Sequence, residues 1–272
     1  MSRIAGCFDA LSKSGRKALV PYIVAGDPGS DFTVPMMHKL VEQGADIIEI
    51  GVPFSDPMAE GPVIQLAHER ALVEGVGLRK VLAMVASFRS QDSVTPVVLM
   101  GYANPVEHMG YAAFAKAAAE AGIDGLLTVD IPPEESHELN AELKKVGIDN
   151  IFLIAPTSTE QRIRNIAELA SGYVYYVSLK GVTGAGHLDI DSVREKMAEI
   201  KSISSLPVTV GFGIKDAESA TAVGRYCEGV VVGSALVALA ASLQQQGESQ
   251  QSVIEQSTAL IGDMRKALDA AK

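Results

Sequence analysis

Two glutamates, eleven positions apart, lie in a stretch whose composition suits acid–base chemistry. Glu49 interrupts an apolar run at residues 46–50 that otherwise has the character of a fully buried strand. An ionised carboxylate is rarely placed in such surroundings unless it is paired or used chemically. Glu60 follows in a loop punctuated by Pro and Gly, which can fold back over the end of the strand. The pair therefore predicts a proton-transfer site in which Glu49 lies in an apolar wall that excludes water and Glu60 lies above it.

The alternative for Glu49 is a structural ion pair with a cation from a neighbouring strand. None of the other apolar runs carries an interior Lys or Arg that could serve this purpose. Proton transfer is therefore the better interpretation. Burial raises the pKa of a carboxyl above its usual value of about 4.3, and such a group takes and gives protons near neutral pH.

Eight short apolar runs provide the elements that must position these acids. They are rich in β-branched residues and alternate with amphipathic helical patterns, which indicates a parallel sheet with helical crossovers. Eight such repeats in a chain of 272 residues predict a (β/α)₈ barrel rather than an open doubly wound sheet. With no linker or change of composition, we expect residues 1–272 to form a single domain. The runs occupy residues 18–24, 46–50, 96–102, 125–129, 151–154, 173–177, 207–212 and 229–232.

The two ends of the chain predict helices. Ile4, Phe8 and Leu11 have helical spacing, which indicates an extra amphipathic helix before the first strand. The polar tract at residues 244–252 predicts a loop before a last helix over 253–270. The N-terminal residues lack the apolar core of a signal peptide, and no run is long and apolar enough for a membrane span.

Charge and cysteine content exclude several classes of protein. The net charge of −10, with no basic cluster, argues against a nucleic-acid partner. Cys7 and Cys227 lack the spacing of a zinc ribbon or a disulfide framework, so we expect a protein of the reducing cytoplasm.

Glycine-bearing turns after the sixth, seventh and eighth runs predict a phosphate site. Any one of these glycines is explained by a tight turn. In a barrel, however, the turns at residues 181–184, 211–213 and 233–234 would converge at one point. Gly233 and Ser234 also open a predicted short helix over 235–240, whose N-terminal dipole favours an anion. The GxG at 211–213 lacks the third glycine of a dinucleotide fingerprint.

Other chemistries find little support. The five histidines show no HxxxH or HxH pair, so no metal site is expected. Asp189 and Asp191 fit a helix N-cap better than a pair of Mg²⁺ ligands. Ser234 lacks the GxSxG context of a nucleophile. No lysine lies inside a strand run, which disfavours Schiff-base chemistry.

Six motifs, taken together, resemble the α subunit of tryptophan synthase over essentially the whole chain. That family is a (β/α)₈ barrel, and the resemblance implies retro-aldol cleavage of indole-3-glycerol phosphate to indole and glyceraldehyde 3-phosphate, without a cofactor in this chain. The motifs are EIGVPFSDPMAEGP at 49–62, MGYANP at 100–105, DIPP at 130–133, APTS at 155–158, GVTG at 181–184 and VGFGI at 210–214.

The resemblance implies roles for individual residues. Glu49 matches the family's proton shuttle, which removes the proton of the glycerol C3′ hydroxyl and delivers a proton to the indole ring carbon. The positions that match ligand contacts are Thr183, Gly184, Gly213, Gly233 and Ser234 for the phosphate, Tyr175 in the pocket, and Met100, Tyr102, Leu127 and Phe212 around the indole.

One departure from the family's pattern affects the second acid. Glu60 stands where the family has an aspartate that accepts the indole N–H. The extra methylene moves the carboxylate by roughly 1.5 Å, and a misplacement of about 1 Å can cost on the order of 10²-fold in rate. Two alternatives therefore stay open: a catalytically weakened subunit that mainly activates its partner allosterically, and a stand-alone lyase that releases free indole. Tyr22, where many relatives carry Phe, and Lys180, where others carry Arg, are milder departures.

The resemblance also implies a partner. The family binds a β subunit that carries pyridoxal phosphate, in an αββα heterotetramer through which indole passes in a tunnel. Exposed prolines and an aromatic ring at the carboxyl ends of the strands suggest the docking surface. The glycine-rich loop over residues 179–187 is predicted to be a mobile lid over the phosphate. The residues expected at the interface are Pro53, Phe54, Asp56, Asn104, Pro105 and Pro132.

Overall fold

Eight parallel strands form a closed barrel in which each strand pairs with its neighbours along the chain. The computed structural model describes residues 2–178 and 189–271. The closed parallel sheet confirms the predicted (β/α)₈ barrel. The strands are β1 (Ala18–Val24), β2 (Ile48–Gly51), β3 (Val97–Gly101), β4 (Gly125–Thr128), β5 (Asp149–Ile154), β6 (Val174–Val177), β7 (Val208–Gly211) and β8 (Gly229–Val232).

Twelve α-helices accompany the strands in the described residues. One precedes β1, and two follow each of β2, β3 and β8. They are α1 (Arg3–Lys13), α2 (Thr33–Glu42), α3 (Pro62–Val73), α4 (Leu78–Arg89), α5 (Ala103–Met109), α6 (Tyr111–Ala121), α7 (His137–Val146), α8 (Glu160–Leu169), α9 (Ile190–Ile203), α10 (Ala217–Gly224), α11 (Ser234–Gln245) and α12 (Gln250–Ala270).

Several strand boundaries differ from the predicted runs by one or two residues. The last helix begins at Gln250 rather than 253, because the Ser249 side chain caps it there, so the loop predicted over 244–252 is limited to the residues between Gln245 and Gln250.

Two further differences have physical reasons. The helix expected over 235–240 runs from Ser234 to Gln245, because Ala241 and Leu243 continue its buried face. The seventh strand ends at Gly211 rather than 212, because Phe212 has a φ of 71° and cannot continue an extended strand.

The parallel register brings the carboxyl ends of all strands to one end of the barrel. Tyr22 on β1 pairs with Glu49 on β2, and Gly51 at the end of β2 pairs with Met100 on β3. On the other side, Val177 at the end of β6 pairs with Gly211 at the end of β7. The residues that follow these strand ends therefore surround a common mouth, as expected for this architecture.

Helix α1 packs at the opposite end, near the strand N-termini. The hydroxyl of Ser2 accepts a hydrogen bond from the Ala5 N–H and so caps the helix. The predicted apolar face is buried, and the ring of Phe8 lies 5.8 Å from that of Tyr173. Arg3 forms an ion pair of 2.8 Å with Asp124, next to the start of β4. The N-terminal helix is thus tied to residues far away in the sequence.

None of the described helices combines the length and the apolar composition that a membrane-spanning helix needs.

Candidate active site

Glu49 lies on β2 with its side chain completely buried. The hydroxyl of Tyr173 donates a hydrogen bond of 2.6 Å to its Oε1. Among the described residues, Oε2 has no hydrogen-bond partner. Burial raises the pKa of Glu49 to about 7; the Tyr173 hydrogen bond opposes this shift, and the charge of Glu60 adds to it. Glu49 therefore has one anchored oxygen, one free oxygen and a proton affinity suited to transfer near neutral pH.

Glu60 lies in the loop between β2 and α3 and is also buried, with 5% of its surface exposed. Burial raises its pKa to about 7. Its effect on the pKa of Glu49 means that the two carboxyls are electrostatically coupled. The two glutamates singled out in the sequence therefore lie close enough for their charges to interact.

Several hydrogen bonds hold the loop that carries Glu60. The Phe54 N–H donates to Nδ1 of His68 on α3 at 3.0 Å, and the Ala59 N–H donates to the hydroxyl of Tyr102 at 3.1 Å. The Phe54 and Tyr102 rings are stacked with centroids 5.0 Å apart. The position of Glu60 is therefore fixed from both β3 and α3.

A cavity of about 690 Å³ opens at the carboxyl ends of the strands. This volume is in the range of small-molecule sites. Its wall includes one of the two acids, two tyrosines, and the turns after β7 and β8. Eight of the residues predicted or noted from the sequence line it: Tyr22, Glu60, Met100, Tyr175, Phe212, Gly213, Gly233 and Ser234.

Glu49, Tyr102 and Leu127 do not line this cavity. Leu127 is fully buried and pairs with Met100, so both side chains face the barrel interior. The Tyr102 ring stacks on Phe54. Contact of Leu127 and Tyr102 with an indole ring stays a prediction. Thr183, Gly184 and the loop over 179–187 lie outside the described residues.

Two tyrosines occupy the space above glycines at strand ends. A Cβ on Gly51 would overlap the Tyr22 hydroxyl, and a Cβ on Gly211 would overlap the Tyr175 hydroxyl. Burial raises the pKa of both tyrosines, and the charges of Glu49 and Glu60 raise it further. Both hydroxyls are therefore protonated at neutral pH and lie within the electrostatic reach of both acids.

The turn after β7 has a backbone conformation that the sequence did not reveal. Phe212 and Gly213 both have positive φ, 71° and 76°, and a bulky residue rarely adopts this region. The Ser178 hydroxyl contacts the carbonyl oxygens of Gly211 and Phe212, each at 2.7 Å. Such strained turns cluster at functional sites.

Helix α11 begins at this edge of the cavity. No side chain caps its N-terminus, and Gly233, Ser234 and Ala235 line the cavity there. Free backbone N–H groups and the helix dipole make such a terminus suitable for a phosphate group. Lys215 also lines this cavity and adds a positive charge. The turns after β7 and β8 thus line one cavity, while the predicted third turn at 181–184 lies outside the described residues.

Sequence reasoning missed Tyr173 and Lys215. A signal for Tyr173 was available, because it lies two residues before Tyr175, and side chains at that spacing point to the same face of a strand. For Lys215 no signal existed, since an exposed lysine in a loop is ordinary.

The expected docking residues lie around the same end of the barrel, with one correction. Pro53 is buried, not exposed, because it directly follows the last strand residues of β2 inside the mouth. Asp56 and Asn104 are exposed, whereas Phe54, Pro105 and Pro132 are half-buried. Met58, in the same loop as Asp56, is 80% exposed. An apolar side chain this exposed beside a charged one is compatible with a protein contact.

Between residues 2 and 178 and from 189 to 271, no three His, Cys, Asp or Glu side chains are grouped as metal ligands would be. Asp189 caps α9 by accepting a hydrogen bond from the Ser192 N–H, which confirms its predicted role.

Comparison with known proteins places this geometry in a family. A family model described as tryptophan synthase alpha chain matches residues 8–269. The tryptophan synthase alpha chain of Thioalkalivibrio sulfidiphilus is 62% identical over 269 residues, covering 99% of this chain and 100% of the relative. That of Marinobacter nauticus is 57% identical over 270 residues, with 99% of each chain covered.

Solved structures agree with the sequence relatives. The structure of tryptophan synthase subunit alpha from Legionella pneumophila superposes with a TM-score of 0.92 at 43% identity, covering 99% of both chains. From the barrel, the coupled acids at its mouth and these full-length matches, we conclude that the chain belongs to the tryptophan synthase alpha chain family.

Proposed function

We propose that this chain is the α subunit of a tryptophan synthase and cleaves indole-3-glycerol phosphate to indole and glyceraldehyde 3-phosphate. The observation that carries the proposal is the pair of coupled, buried carboxyls, each with its pKa raised to about 7, at a cavity with an uncapped helix N-terminus. The names of the full-length relatives support the same assignment.

The phosphate end of the substrate would bind at the turns after β7 and β8. Backbone N–H groups of Gly213, Gly233 and Ser234 would hold its oxygens, with Lys215 as a nearby positive charge. The indole ring would then point toward Met100, Phe212 and the acids. Binding at the phosphate thus sets the distance between the ring and Glu60.

The reaction needs two proton transfers by each acid. Protonated Glu49 gives its proton to the indole ring carbon that bears the side chain, while ionised Glu60 accepts the ring N–H. Glu49, now ionised, takes the proton of the C3′ hydroxyl as the carbon–carbon bond breaks. The electron pair of that bond returns to the ring, and the C3′ carbon becomes the aldehyde of the product. Glu60 returns its proton to the ring nitrogen, so both acids recover their starting state.

The free Oε2 of Glu49 suits this role, because it leaves one oxygen for the substrate while Tyr173 fixes the other. Glu49 lies behind the cavity wall in the isolated chain. A conformational adjustment on binding would bring the substrate into contact with Glu49.

A partner belongs to the proposal. We infer that a β subunit carrying pyridoxal phosphate docks at the carboxyl ends of the strands, in an αββα assembly, and receives the indole. The exposed Asp56 and Met58 support this surface. We also place the protein in the cytoplasm, because Cys7 and Cys227 are both unpaired.

The alternative, a subunit that only activates its partner, is not favoured. Glu60 is seated in the cavity wall and coupled to Glu49, although its side chain is one methylene longer than the family's aspartate. The loop has therefore accommodated the longer acid within the site.

The test is indole formation from indole-3-glycerol phosphate by this chain, alone and with a tryptophan synthase β subunit. We expect turnover alone and strong stimulation by the partner. Absence of turnover in both conditions, with recovery in Glu60→Asp, would instead identify the weakened subunit. Full activity of the lone chain with no effect of the partner would identify a stand-alone lyase.

A further inference from the structure

Tyr22 is a buried polar side chain in the site to which the mechanism above gives no role. It lies on β1 directly beside Glu49 on β2, and only 5% of its surface is exposed. Because neighbouring residues of paired strands point to the same face, both side chains enter the barrel interior. Tyr22 also lines the cavity.

The ring of Tyr22 reaches from the start of α11 to the end of β2. Its Cδ1 lies 3.3 Å from the position that a Cβ on Gly233 would occupy, at the start of α11. Its Cζ lies 2.8 Å from the corresponding position on Gly51, and its hydroxyl is closer still. The ring therefore begins at the phosphate end and places its hydroxyl over the end of β2, where the loop carrying Glu60 starts.

The charges around this hydroxyl identify Glu60 as its main electrostatic neighbour. After burial, the largest contribution that raises the pKa of Tyr22 comes from Glu60, followed by Glu49. For Tyr175 the order is reversed, with Glu49 before Glu60. Both acids therefore act on both tyrosine hydroxyls, with Glu60 the larger influence on the pKa of Tyr22 and Glu49 on that of Tyr175.

Glu60 lacks the donor that its role requires. Glu49 is held by Tyr173, whereas only burial acts on the pKa of Glu60, and no hydrogen-bond donor to its carboxylate is present among the described residues. To accept the ring N–H, Glu60 must be ionised, and a hydrogen bond to the charged form favours that form.

We propose that the Tyr22 hydroxyl is a positioning group that donates a hydrogen bond to the Glu60 carboxylate when substrate is bound. Tyr22 and Glu60 line the same cavity, and the tyrosine would orient the carboxylate there. This inference rests on the proposed function.

Other titratable groups face Glu60 and must be separated from Tyr22 in any test. Glu49 faces it from β2, and Tyr102 after β3 has its pKa raised by Glu60. Tyr102 already accepts the Ala59 N–H, so its removal would disturb the loop itself. Tyr175 is the better control, because its hydroxyl is also buried and its pKa is raised more by the charge of Glu49 than by that of Glu60.

The decisive experiment is a double-mutant cycle with a pH profile. Tyr22→Phe keeps the ring and its packing against Gly233 but removes the hydroxyl. We expect kcat to fall by about 10–100-fold, with KM changed by less than about twofold, and the acid limb of the kcat profile, which reports the substrate complex, to move to higher pH. In the Glu60→Gln background, the same substitution should change the residual rate by less than about twofold. An equal loss in both backgrounds would overturn the proposal.

A direct titration separates this inference from the proposed function. The ¹³C-labelled carboxyl of Glu60, assigned with Glu60→Gln, is titrated in complex with indole-3-propanol phosphate, an analogue without the glycerol hydroxyls. Tyr22→Phe should raise the pKa of Glu60. Tyr175→Phe should leave the pKa of Glu60 unchanged within the experimental error. An unchanged Glu60 pKa in Tyr22→Phe would overturn the proposal even if the enzyme is active. If the wild-type protein cleaves nothing, the proposed function fails, and the titration still decides the hydrogen bond.

Discussion

Glu49 and Glu60 behave as one titrating unit rather than as two independent acids. Both are buried, each has its pKa raised to about 7, and the charge of Glu60 contributes to the shift of Glu49. Near neutral pH the pair holds about one proton, which is the state that the proposed reaction needs.

The pH dependence of activity follows from this shared proton. Below pH 7 both acids are protonated and Glu60 cannot accept the ring N–H; above it both are ionised and Glu49 cannot deliver a proton. We therefore expect a bell-shaped kcat/KM profile with its maximum near pH 7. Steady-state rates between pH 5.5 and 9 test this, and a flat profile would contradict the shared proton.

The burial of Glu49 also lowers the free energy of unfolding when its carboxyl is ionised. Its folded-state pKa of about 7 lies above the ordinary value of 4.5 for a glutamate, so the folded state binds more protons between these values. Stability is therefore fully present below about pH 4.5 and is lost as the pH rises to about 7. Glu49→Gln should abolish turnover and, at pH 8, unfold with a free energy higher by on the order of 2–3 kcal/mol.

The control for this prediction is Glu195→Gln, on an exposed position of α9. Urea unfolding at pH 5 and pH 8 measures both variants. The advantage of Glu49→Gln should grow with pH while Glu195→Gln stays near wild type. An advantage independent of pH would mean that desolvation of the charge is not the cause.

How much of the site was predictable differs between side chains. The two acids were predicted because a carboxylate in an apolar run is unusual in any fold. The anchoring of Glu49 by Tyr173 and the fit of Tyr22 over Gly51 were not, since both depend on which strands become neighbours and in which register. Composition along a single run does not contain that information.

At the scale of elements, the strand ends depend on glycines that leave room for tyrosines. Gly51→Ala would place a Cβ against the Tyr22 ring, 2.8 Å from Cζ. Tyr22 must then move, so we expect a loss of about 1–3 kcal/mol in unfolding free energy and a fall in kcat. Urea unfolding and steady-state kinetics measure the two effects.

Gly6→Ala is the matched control for that substitution. A Cβ at Gly6 on α1 meets nothing within 4 Å, and alanine favours a helix by up to about 1 kcal/mol. Gly6→Ala should therefore be as stable as wild type or more so. Equal destabilisation of both variants would show that the tyrosine contact is not the reason.

The start of α11 offers a test of the phosphate site. Ser234→Asp adds a negative charge in the first turn, which is favourable for the helix but opposes a bound phosphate. We expect KM for indole-3-glycerol phosphate to rise by at least about 10-fold with the melting temperature retained.

Ser249→Asp, at the N-cap of α12, adds the same charge to a helix start outside the cavity. The KM of Ser249→Asp for indole-3-glycerol phosphate should equal that of the wild-type protein. If both variants raise KM equally, general charge repulsion rather than a local phosphate site is responsible.

Element boundaries were predictable where hydrophobic patterns end at turns. The first and eighth strands, Ala18–Val24 and Gly229–Val232, agree with the predicted runs residue for residue. The seventh strand does not agree with its predicted run. Phe212 is apolar and suits a strand by composition, but it adopts a left-handed turn held by Ser178. The hydropathy pattern of a sequence does not reveal backbone strain of this kind.

At the scale of the whole molecule, the loop after β2 joins the proposed partner surface to the site. Asp56 and Met58 are exposed on the loop, and Glu60 follows them into the cavity. Hydrogen bonds to His68 and Tyr102 fix both halves of this loop. A partner that moves Asp56 would therefore also move Glu60.

Asp56→Ala should weaken binding of a tryptophan synthase β subunit by about 10-fold, because a desolvated interfacial charge would be lost. Titration calorimetry measures the affinity. Glu120→Ala is the control, since that exposed acid lies near the end of α6, toward the opposite end of the barrel. Unchanged binding in Asp56→Ala would remove this residue from the interface.

Helix α1 has a consequence for how the polypeptide is made. Phe8 leaves the ribosome early, but Tyr173, on which its ring packs, is synthesised 165 residues later. At about 5–20 residues per second, this delay is roughly 10–30 s. For that time the apolar side chains of Ile4, Phe8 and Leu11 have no native partner from the later half of the barrel. During translation, the first helix is thus a natural binding segment for a nascent-chain chaperone, and its burial marks the completion of the barrel.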